Sequence, residues 1–242
     1  MYIPDPYRQD SAEKLIQFMR TNSFATLVSI LNGMPFASHL PLATVTGQDG
    51  LTLVGHLAKA NPHWQAFDQG ETLAIFTGPH AYISPSHYEN RESVPTWNYV
   101  AVHAYGTPHP ISFADSEEEL ELVLATLIKT YEAAYQAQWE ALSAQYREGM
   151  MKGIVGFRMP VKRLEGKYKL SQNRSQTDQI QVAQVLEREA DPATAAVGQM
   201  MKANLAIQSQ VLSDPYGQNE KGGEPRETFG AYSTSKKGNH DS

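Results

Sequence analysis

Alternation of apolar and polar positions is clearest between Thr96 and Tyr105. Every second residue there falls on one face of an extended chain, namely Trp97, Tyr99, Ala101, His103 and Tyr105. This spacing predicts a half-buried β-strand. An apolar run from Thr72 to Phe76 predicts a second strand, which Gly78-Pro79 should end. The turn-forming residues from Ser84 to Pro95 predict an ordered loop, where ligand sites are common.

The first part of the chain predicts a helix followed by a hairpin. Asp10 and Glu13 have the spacing of a capping box for a helix that runs to about Arg20. Asn32-Gly33 favours a tight turn between a strand at 24–31 and a returning strand at 35–45. Pro41 lacks a backbone donor, so the returning strand should be bulged or lie at an edge there.

A third strand and a short helix follow. Alternation from Leu51 to His56 predicts the strand, and Asn61-Pro62 is typical of an N-cap followed by proline at the first helical position. Lys59 stands just before this helix start. Unpaired amides, the positive end of the helix dipole and a lysine together favour a phosphate site, although a lysine in this position is more commonly only solvated.

The second half of the chain is mostly helical. Ser116 and Glu119 form a capping box, and an apolar stripe from Leu120 to Tyr131 predicts a long helix that packs on the sheet. Pro108 and Pro110 should end the sheet before it. The remaining predicted elements are a helix at 138–146, a strand at 153–161 with Val155, Phe157 and Met159 facing inward, a polar turn at 171–174, and helices at 177–189 and 192–205.

Length and composition favour one globular domain. The 242 residues are 41% hydrophobic and contain no cysteine, which excludes disulfides and thiolate metal sites. We expect a single domain over residues 1–212, and a disordered tail over 213–242 because that stretch is polar and rich in glycine. The sequence has neither an apolar run of about 18 residues nor a signal pattern, which favours a cytoplasmic protein without a membrane span.

Charge and motif spacing exclude several classes of function. A net charge of -6 argues against strong non-specific binding to nucleic acid. The basic stretch from Arg147 to Arg174 could meet a phosphate ligand, an acidic partner or nucleic acid, or could simply be a solvated surface. The eight histidines lack metal-site spacing, so no metal is expected. Fingerprints of serine hydrolases, P-loop proteins and Rossmann domains are absent.

Six segments in order resemble one known family. They are MYIP, HLPL, GHLAKANPHW, GPHAYISPSHY, VPTWNYVAVHAYG and KLSQNRS, within residues 1–205. They resemble the PaiB-type family of FMN-binding negative transcriptional regulators. The resemblance implies an α+β, mainly β fold: an antiparallel, Greek-key-like split β-barrel with packed peripheral helices, related to the pyridoxamine-phosphate-oxidase-like flavoproteins. It also implies a homodimer that binds FMN at the subunit interface.

The resemblance also implies a set of FMN-binding residues. Lys59, Ala60 and Asn61 match the motif near the phosphate. The strands along the flavin would contribute Ser38, His39, Leu40 and Pro41, and then Gly55, His56 and Leu57. The ring site would be closed by Trp97 and Asn98 from the second subunit, with Gln172, Asn173 and Arg174 at its rim.

Three functions are compatible with these features. The first is an FMN-binding transcriptional regulator, although no basic recognition helix is visible and direct operator contact is therefore not favoured. The second is a flavin-dependent oxidoreductase, with His39, His56 or Tyr82 as the candidate proton donor. The third is a dimeric scaffold without a cofactor, against which Lys59 and Trp97-Asn98 argue.

Overall fold

A computed structural model describes residues 1–90 and 92–213, without the side chains of Asp68 and residues 207–213. Residues 1–205 form one compact unit, which contains every strand and every candidate site. Residues 206–242 form a second unit, of which only 206–213, in helical conformation, are described. The predicted disordered tail therefore lies outside the described residues, apart from Ser213.

Nine strands and six α-helices make up the described part of the chain. The strands are β1 (Arg8–Gln9), β2 (Phe24–Leu31), β3 (Met34–Pro41), β4 (Ala43–Gly47), β5 (Gly50–Ala58), β6 (Thr72–Ile83), β7 (Thr96–Gly106), β8 (His109–Ser112) and β9 (Ile154–Lys169). The helices are α1 (Ala12–Thr21), α2 (Glu117–Tyr131), α3 (Tyr135–Ala141), α4 (Ala144–Lys152), α5 (Gln176–Leu186) and α6 (Pro192–Ser213). Short 3₁₀ helices span Asp5–Tyr7, Pro62–Gln69 and Pro85–His87.

The long strand β9 joins two antiparallel sheets into a split barrel. The strand order is β3-β2-β6-β7-β9-β5-β4, with β1 and β8 also paired to β9. The first half of β9 pairs with β5 and β8, and its second half pairs with β7 and β1. The register shifts at Gly106, where an added Cβ would lie 2.2 Å from the carbonyl oxygen of Pro160. The predicted α+β, mainly β class and the split barrel are confirmed.

Two apolar clusters fill the structure. The larger lies inside the sheets and contains Leu27, Phe76, Phe157 and Met159, all fully buried. The smaller packs α2 against the sheet of β4, β5, β8 and β9, through Leu120 and neighbouring residues. The predicted inward orientation of Val155, Phe157 and Met159 and the predicted packing of α2 are thus confirmed.

Several predicted element boundaries are wrong. The cap of α1 is the Ser11 hydroxyl, which accepts from the backbone N–H of Lys14, and not Asp10. Strand β6 continues past Gly78-Pro79, because a bulge between Thr77 and His80 keeps it paired with β7. The returning strand predicted at 35–45 is divided at Leu42 into β3 and β4.

Two further errors lie in the second half of the chain. Pro110 belongs to β8, which pairs on one side with β9, and an edge strand tolerates proline. The helix predicted at 138–146 is two helices, because the Ser143 hydroxyl caps a new one at Ala144. The strand predicted at 153–161 continues to Lys169 because its second half pairs with β7.

Candidate functional site

The loop after β5 holds an exposed lysine beside a capped helix start. The backbone N–H of Lys59 donates to the carbonyl of Gly153 at 2.9 Å, and its own carbonyl accepts from Nε1 of Trp64 at 3.1 Å. Asn61 caps the 3₁₀ helix Pro62–Gln69 by accepting from the backbone N–H of His63. Lys59 is exposed and forms no ion pair among the described residues. Hydrogen bonds from Ser112 lower the pKa of Asp115, and the charge of Lys59 lowers it further, so this carboxylate lies near the ammonium.

Strand β3 presents alternate residues of the predicted segment to opposite sides. Ser38 and Leu40 are buried, whereas His39 and Pro41 are exposed. The Ser38 hydroxyl accepts from Nδ2 of Asn61 at 3.0 Å, which attaches the Lys59 loop to β3. Leu40 belongs to the larger apolar cluster and supports the strand from inside.

Strand β5 leads directly into this loop and carries three of the predicted site residues, Gly55, His56 and Leu57. Leu57 is buried, and a Cβ on Gly55 would lie 2.7 Å from Cδ2 of Leu42, so only glycine fits that position without a shift. Burial lowers the pKa of His56, and its Nδ1 is a buried atom without a hydrogen-bond partner in the described structure. Ala60 is exposed in the loop.

Trp97 and Asn98 point to opposite sides of β7. The Trp97 ring is 52% exposed and packs edge-on against Tyr82, with ring centroids 5.9 Å apart. Asn98 is fully buried, and its Nδ2 donates to the Ser171 hydroxyl at 2.9 Å. Its Oδ1 has no partner in the described structure. Trp97 can therefore reach a ligand or a second subunit directly, whereas Asn98 acts from behind the strand.

The polar turn after β9 is fixed by its own side chains. Gln172 accepts from the backbone N–H of Leu170 at 2.7 Å and donates to the carbonyl of Tyr168. Asn173 is exposed. The Arg174 guanidinium lies over the Tyr88 ring at 4.1 Å, which joins this turn to the 84–95 loop. Ser171 takes a positive φ of 66° at the turn.

Five cations of β9 and of the turn after it form no ion pair among the described residues, namely Arg158, Lys162, Lys167, Lys169 and Arg174. Arg147, Lys152 and Arg163 form ion pairs with carboxylates. Burial lowers the pKa of Lys169, and the neighbouring charges of Lys167 and Arg174 lower it further. The basic stretch is thus partly neutralised within the chain, and the end of β9 with the turn after it keeps its positive charge.

One face of the larger sheet carries a row of directly paired residues. The Cα partners run across five strands, from β3 to β9, as His39, Thr26, Ile75, His103 and Glu165. An open groove of about 460 Å³ lies on this face and is lined by Met1, Ile75, Thr77, Gly78, His80, Trp97, Tyr99, Val100, Ala101 and His103. His39 and the groove therefore share one side of the sheet.

The structure brings the predicted residues together in two groups. The first joins Ser38 to Asn61 and the Lys59 loop, and the second joins Asn98 through Ser171 to the turn at 172–174. Sequence patterns did not point to His63, Thr26 or Ser29. His63 contacts Ser38 of the first group and also Ser29, and Thr26 contacts His39 on the neighbouring strand. A lone histidine inside NPHW carries no periodic signal, so only the tertiary contact reveals it.

The donor set at Lys59–Asn61 fits a phosphorylated flavin. The exposed Lys59 ammonium can bind a phosphate monoester, and the positive end of the 3₁₀ helix favours an anion beside it, while Pro62 has no N–H and the N–H of His63 already donates to Asn61. Among the residues described, no group of three potential ligands could hold a metal ion. Within the same residues, no helix is long and apolar enough to cross a membrane.

Comparison with known proteins identifies the family. Residues 1–163 match the model of the family described as "Putative FMN-binding domain". The protein called protease synthase and sporulation protein PAI 2, from Bacillus subtilis, is 40% identical over 209 residues, which cover 86% of this chain and 100% of that protein. An uncharacterized protein from Saccharomyces cerevisiae is 36% identical over 97 residues, which cover 38% of this chain and 56% of that protein.

Solved structures share the fold at low sequence identity. The FAD and heme binding protein from Mycobacterium smegmatis has a TM-score of 0.51 at 16% identity, over 72% of this chain and 78% of that one. A conserved hypothetical protein from Mycobacterium tuberculosis also has a TM-score of 0.51, at 12% identity, over 72% and 94% of the two chains. The match over residues 1–163 and the 40% identity to PAI 2 show that this chain belongs to the PaiB-type family of FMN-binding proteins, with FMN as its cofactor.

Proposed function

We propose that this protein is a cytoplasmic homodimer that binds one FMN per subunit and acts as a flavin-dependent negative regulator of transcription. The observation that carries the proposal is the exposed Lys59 side chain next to the Asn61-capped helix start, on a loop whose backbone is held by Gly153 and Trp64. Such a loop binds a phosphate without first having to become ordered, which lowers the entropic cost of binding.

The chain's own residues would divide the work of holding FMN. Lys59 binds the phosphate, and Asn61 and Ser38 keep its loop against β3. His39 and Pro41 lie on the exposed side of β3 and form the surface along the ring, whereas Gly55 and Leu57 support it from β5. When bound, FMN supplies a ring that accepts and donates electrons.

The second subunit would complete the site by covering the exposed sheet face. Phe24 on β2 is 67% exposed, Ile30 on the same strand is 53% exposed, and Trp97 on β7 is 52% exposed. Large apolar side chains that remain exposed on one sheet face are typical of a subunit interface. In that arrangement Trp97 and Arg174 of one protomer close the ring site of the other, while Asn98 holds Ser171 from behind the strand and Gln172 fixes the turn that carries Arg174.

The experiment is a titration of the purified protein with FMN, followed by visible absorption, with the mass in solution measured alongside. Saturation near one FMN per chain in a particle of twice the chain mass is the expected result. A monomer that binds FMN would contradict the shared site, and a dimer without binding would contradict the cofactor role.

A second candidate function is a flavin-dependent oxidoreductase. It is favoured by the groove on the sheet face, which is lined by His80, Trp97 and His103 among others and has room for a small molecule. Oxidation of a nicotinamide donor by the FMN-loaded protein, followed at its absorption maximum, separates the two functions. Turnover would favour the enzyme, and its absence together with flavin-dependent repression of a reporter gene would favour the regulator.

A further inference from the structure

The fully buried His63 links the Lys59 loop to strands β2 and β3. The side chain of His63 has no exposed surface. Its Nδ1 lies 2.9 Å from the Ser38 hydroxyl, and its Nε2 lies 3.0 Å from the Ser29 hydroxyl. The Ser29 hydroxyl in turn lies 2.7 Å from that of Thr72. One imidazole therefore connects β3, β2 and the first residue of β6.

The donors and acceptors around His63 can be assigned in one consistent way. Oδ1 of Asn61 accepts from the backbone N–H of His63 at 3.1 Å, which places the amide nitrogen toward Ser38. Ser38 accepts from that nitrogen, so its own proton is available for Nδ1 of His63. The proton of the ring then lies on Nε2 and is donated to Ser29, whose proton can go to Thr72.

With a neutral imidazole, the hydroxyl protons of Ser38 and Ser29 each have an acceptor in this chain of hydrogen bonds. Burial lowers the pKa of His63 to about 4, so the ring is uncharged at neutral pH. A neutral ring offers one acceptor and one donor, which are the two roles that Ser38 and Ser29 require here. Each buried hydroxyl of Ser38 and Ser29 consequently has a partner, and an unmade bond in this place would be costly.

We propose that His63, acting through Ser38 and Asn61, is a positioning residue that makes the site selective for phosphorylated over unphosphorylated flavin. The inference rests on the proposed phosphate site at Lys59. Asn61 follows Lys59 by two residues and closes the same turn, since its N–H donates to the carbonyl of Ala58 at 2.8 Å. Loss of the link to Ser38 removes the contact that ties this turn to β3 and leaves only the bonds of Lys59 to Gly153 and Trp64, so the ligand has to supply more of the ordering of Lys59.

The experiment compares the Kd values of FMN and riboflavin, measured by flavin fluorescence, because these ligands differ only in the phosphate. Ser38→Ala removes the hydroxyl between Asn61 and His63. His63→Phe removes both hydrogen bonds of the imidazole and keeps a ring that can pack between Phe36 and Phe67. Ser116→Ala serves as the control, since that hydroxyl accepts from the backbone N–H of Glu119 at the start of α2 and takes no part in the hydrogen bonds of His63, Ser38 and Asn61.

We expect the preference for FMN over riboflavin to fall about tenfold in Ser38→Ala and His63→Phe and to stay unchanged in Ser116→Ala. Lys59→Ala should lower the same ratio. An equal loss of affinity for both flavins in Ser38→Ala would reduce His63 to a structural residue and overturn the inference. If His63→Phe does not fold, Ser38→Ala decides alone.

Other outcomes would contradict the proposed FMN site rather than the role of His63. A wild-type protein that binds neither flavin removes the FMN site, and one that binds both equally removes the phosphate contact. A wild-type protein that prefers FMN, combined with a Ser38→Ala variant that keeps the full preference, leaves the FMN site intact and rejects the role of His63.

Discussion

The hydroxyl of Thr26 lies 3.0 Å from Nδ1 of His39, across the β2–β3 pair. This contact fixes the imidazole on the exposed sheet face and leaves Nε2 directed away from Thr26. The same cross-strand row continues through Ile75 to His103 beside the groove. Two histidines thus lie on the face where the flavin ring and a second subunit are proposed.

Lys59→Ala tests the phosphate contact. Loss of a charge-assisted hydrogen bond should weaken FMN binding by roughly 1.5–3 kcal/mol, or about 10- to 150-fold in Kd. Lys129→Ala, which removes an exposed lysine on α2, is the matched control. A titration by flavin fluorescence measures both variants, and unchanged affinity in a folded Lys59→Ala protein would remove Lys59 from the site.

Ile30→Asp tests the subunit interface. Association of two subunits would remove water from the new carboxylate without giving it a partner. This costs free energy, so the variant should be a monomer. Leu122→Asp is the control, because Leu122 on α2 is 51% exposed and Ile30 is 53% exposed. Light scattering after size-exclusion chromatography gives the masses. A dimeric Ile30→Asp protein would place the interface elsewhere.

Stability should fall as the pH is lowered from about 6.5 to about 4. The pKa of His63 is lowered by burial in the folded protein to about 4, whereas the unfolded chain has the ordinary value near 6.5. Between these values the unfolded state binds more protons, so acidification favours unfolding. The stability contributed by the neutral ring is present above pH 6.5 and is lost as the pH falls toward 4.

Denaturant unfolding at pH 7 and pH 5.5 measures this effect. His63→Phe should lose less stability between the two pH values than the wild type does, by about 1 kcal/mol. His109→Phe, at an exposed histidine of β8, should retain the wild-type dependence. An identical pH dependence in wild type and His63→Phe would show that His63 does not contribute to it.

Gly106→Ala should destabilise the fold where β9 passes between the two sheets. The new Cβ would lie 2.2 Å from the carbonyl oxygen of Pro160, and backbone atoms would have to move, at a cost of about 2 kcal/mol or more. Gly149→Ala is the control, since nothing lies within 4 Å of its Cβ position in α4. It should be neutral or stabilising by about 1 kcal/mol. Thermal unfolding compares the two.

Local signals predicted the parts of the fold that depend on local chemistry. The Asn32-Gly33 turn has φ values of 53° and 77°, as a tight hairpin requires, and Ser116 caps α2 as its spacing indicates. Long-range pairing decided the rest. Gly78-Pro79 did not end β6, because pairing with β7 resumes at His80. Pro110 did not end the sheet, because β8 uses it at an edge.

The candidate site was predictable only as segments. The motif around Lys59 and Asn61 indicated a phosphate loop, and the structure keeps its helix start and cap. The contact between Ser38 and His63 joins residues that are 25 apart in sequence. Neither residue lies in a local sequence pattern that indicates burial. Such contacts follow from how β3 packs on the 3₁₀ helix, which no local pattern contains. The FMN contacts of Trp97, Asn98, Gln172 and Arg174 remain predictions.

The passage of β9 through both sheets has a consequence for how the domain opens. Its 16 residues hold β7 and β1 at one end and β5 and β8 at the other. A fluctuation that melts β9 along its whole length therefore releases both sheets together. Amide protons of β5 and β7 should accordingly exchange with solvent at one common, slow rate that reports the global opening of the barrel.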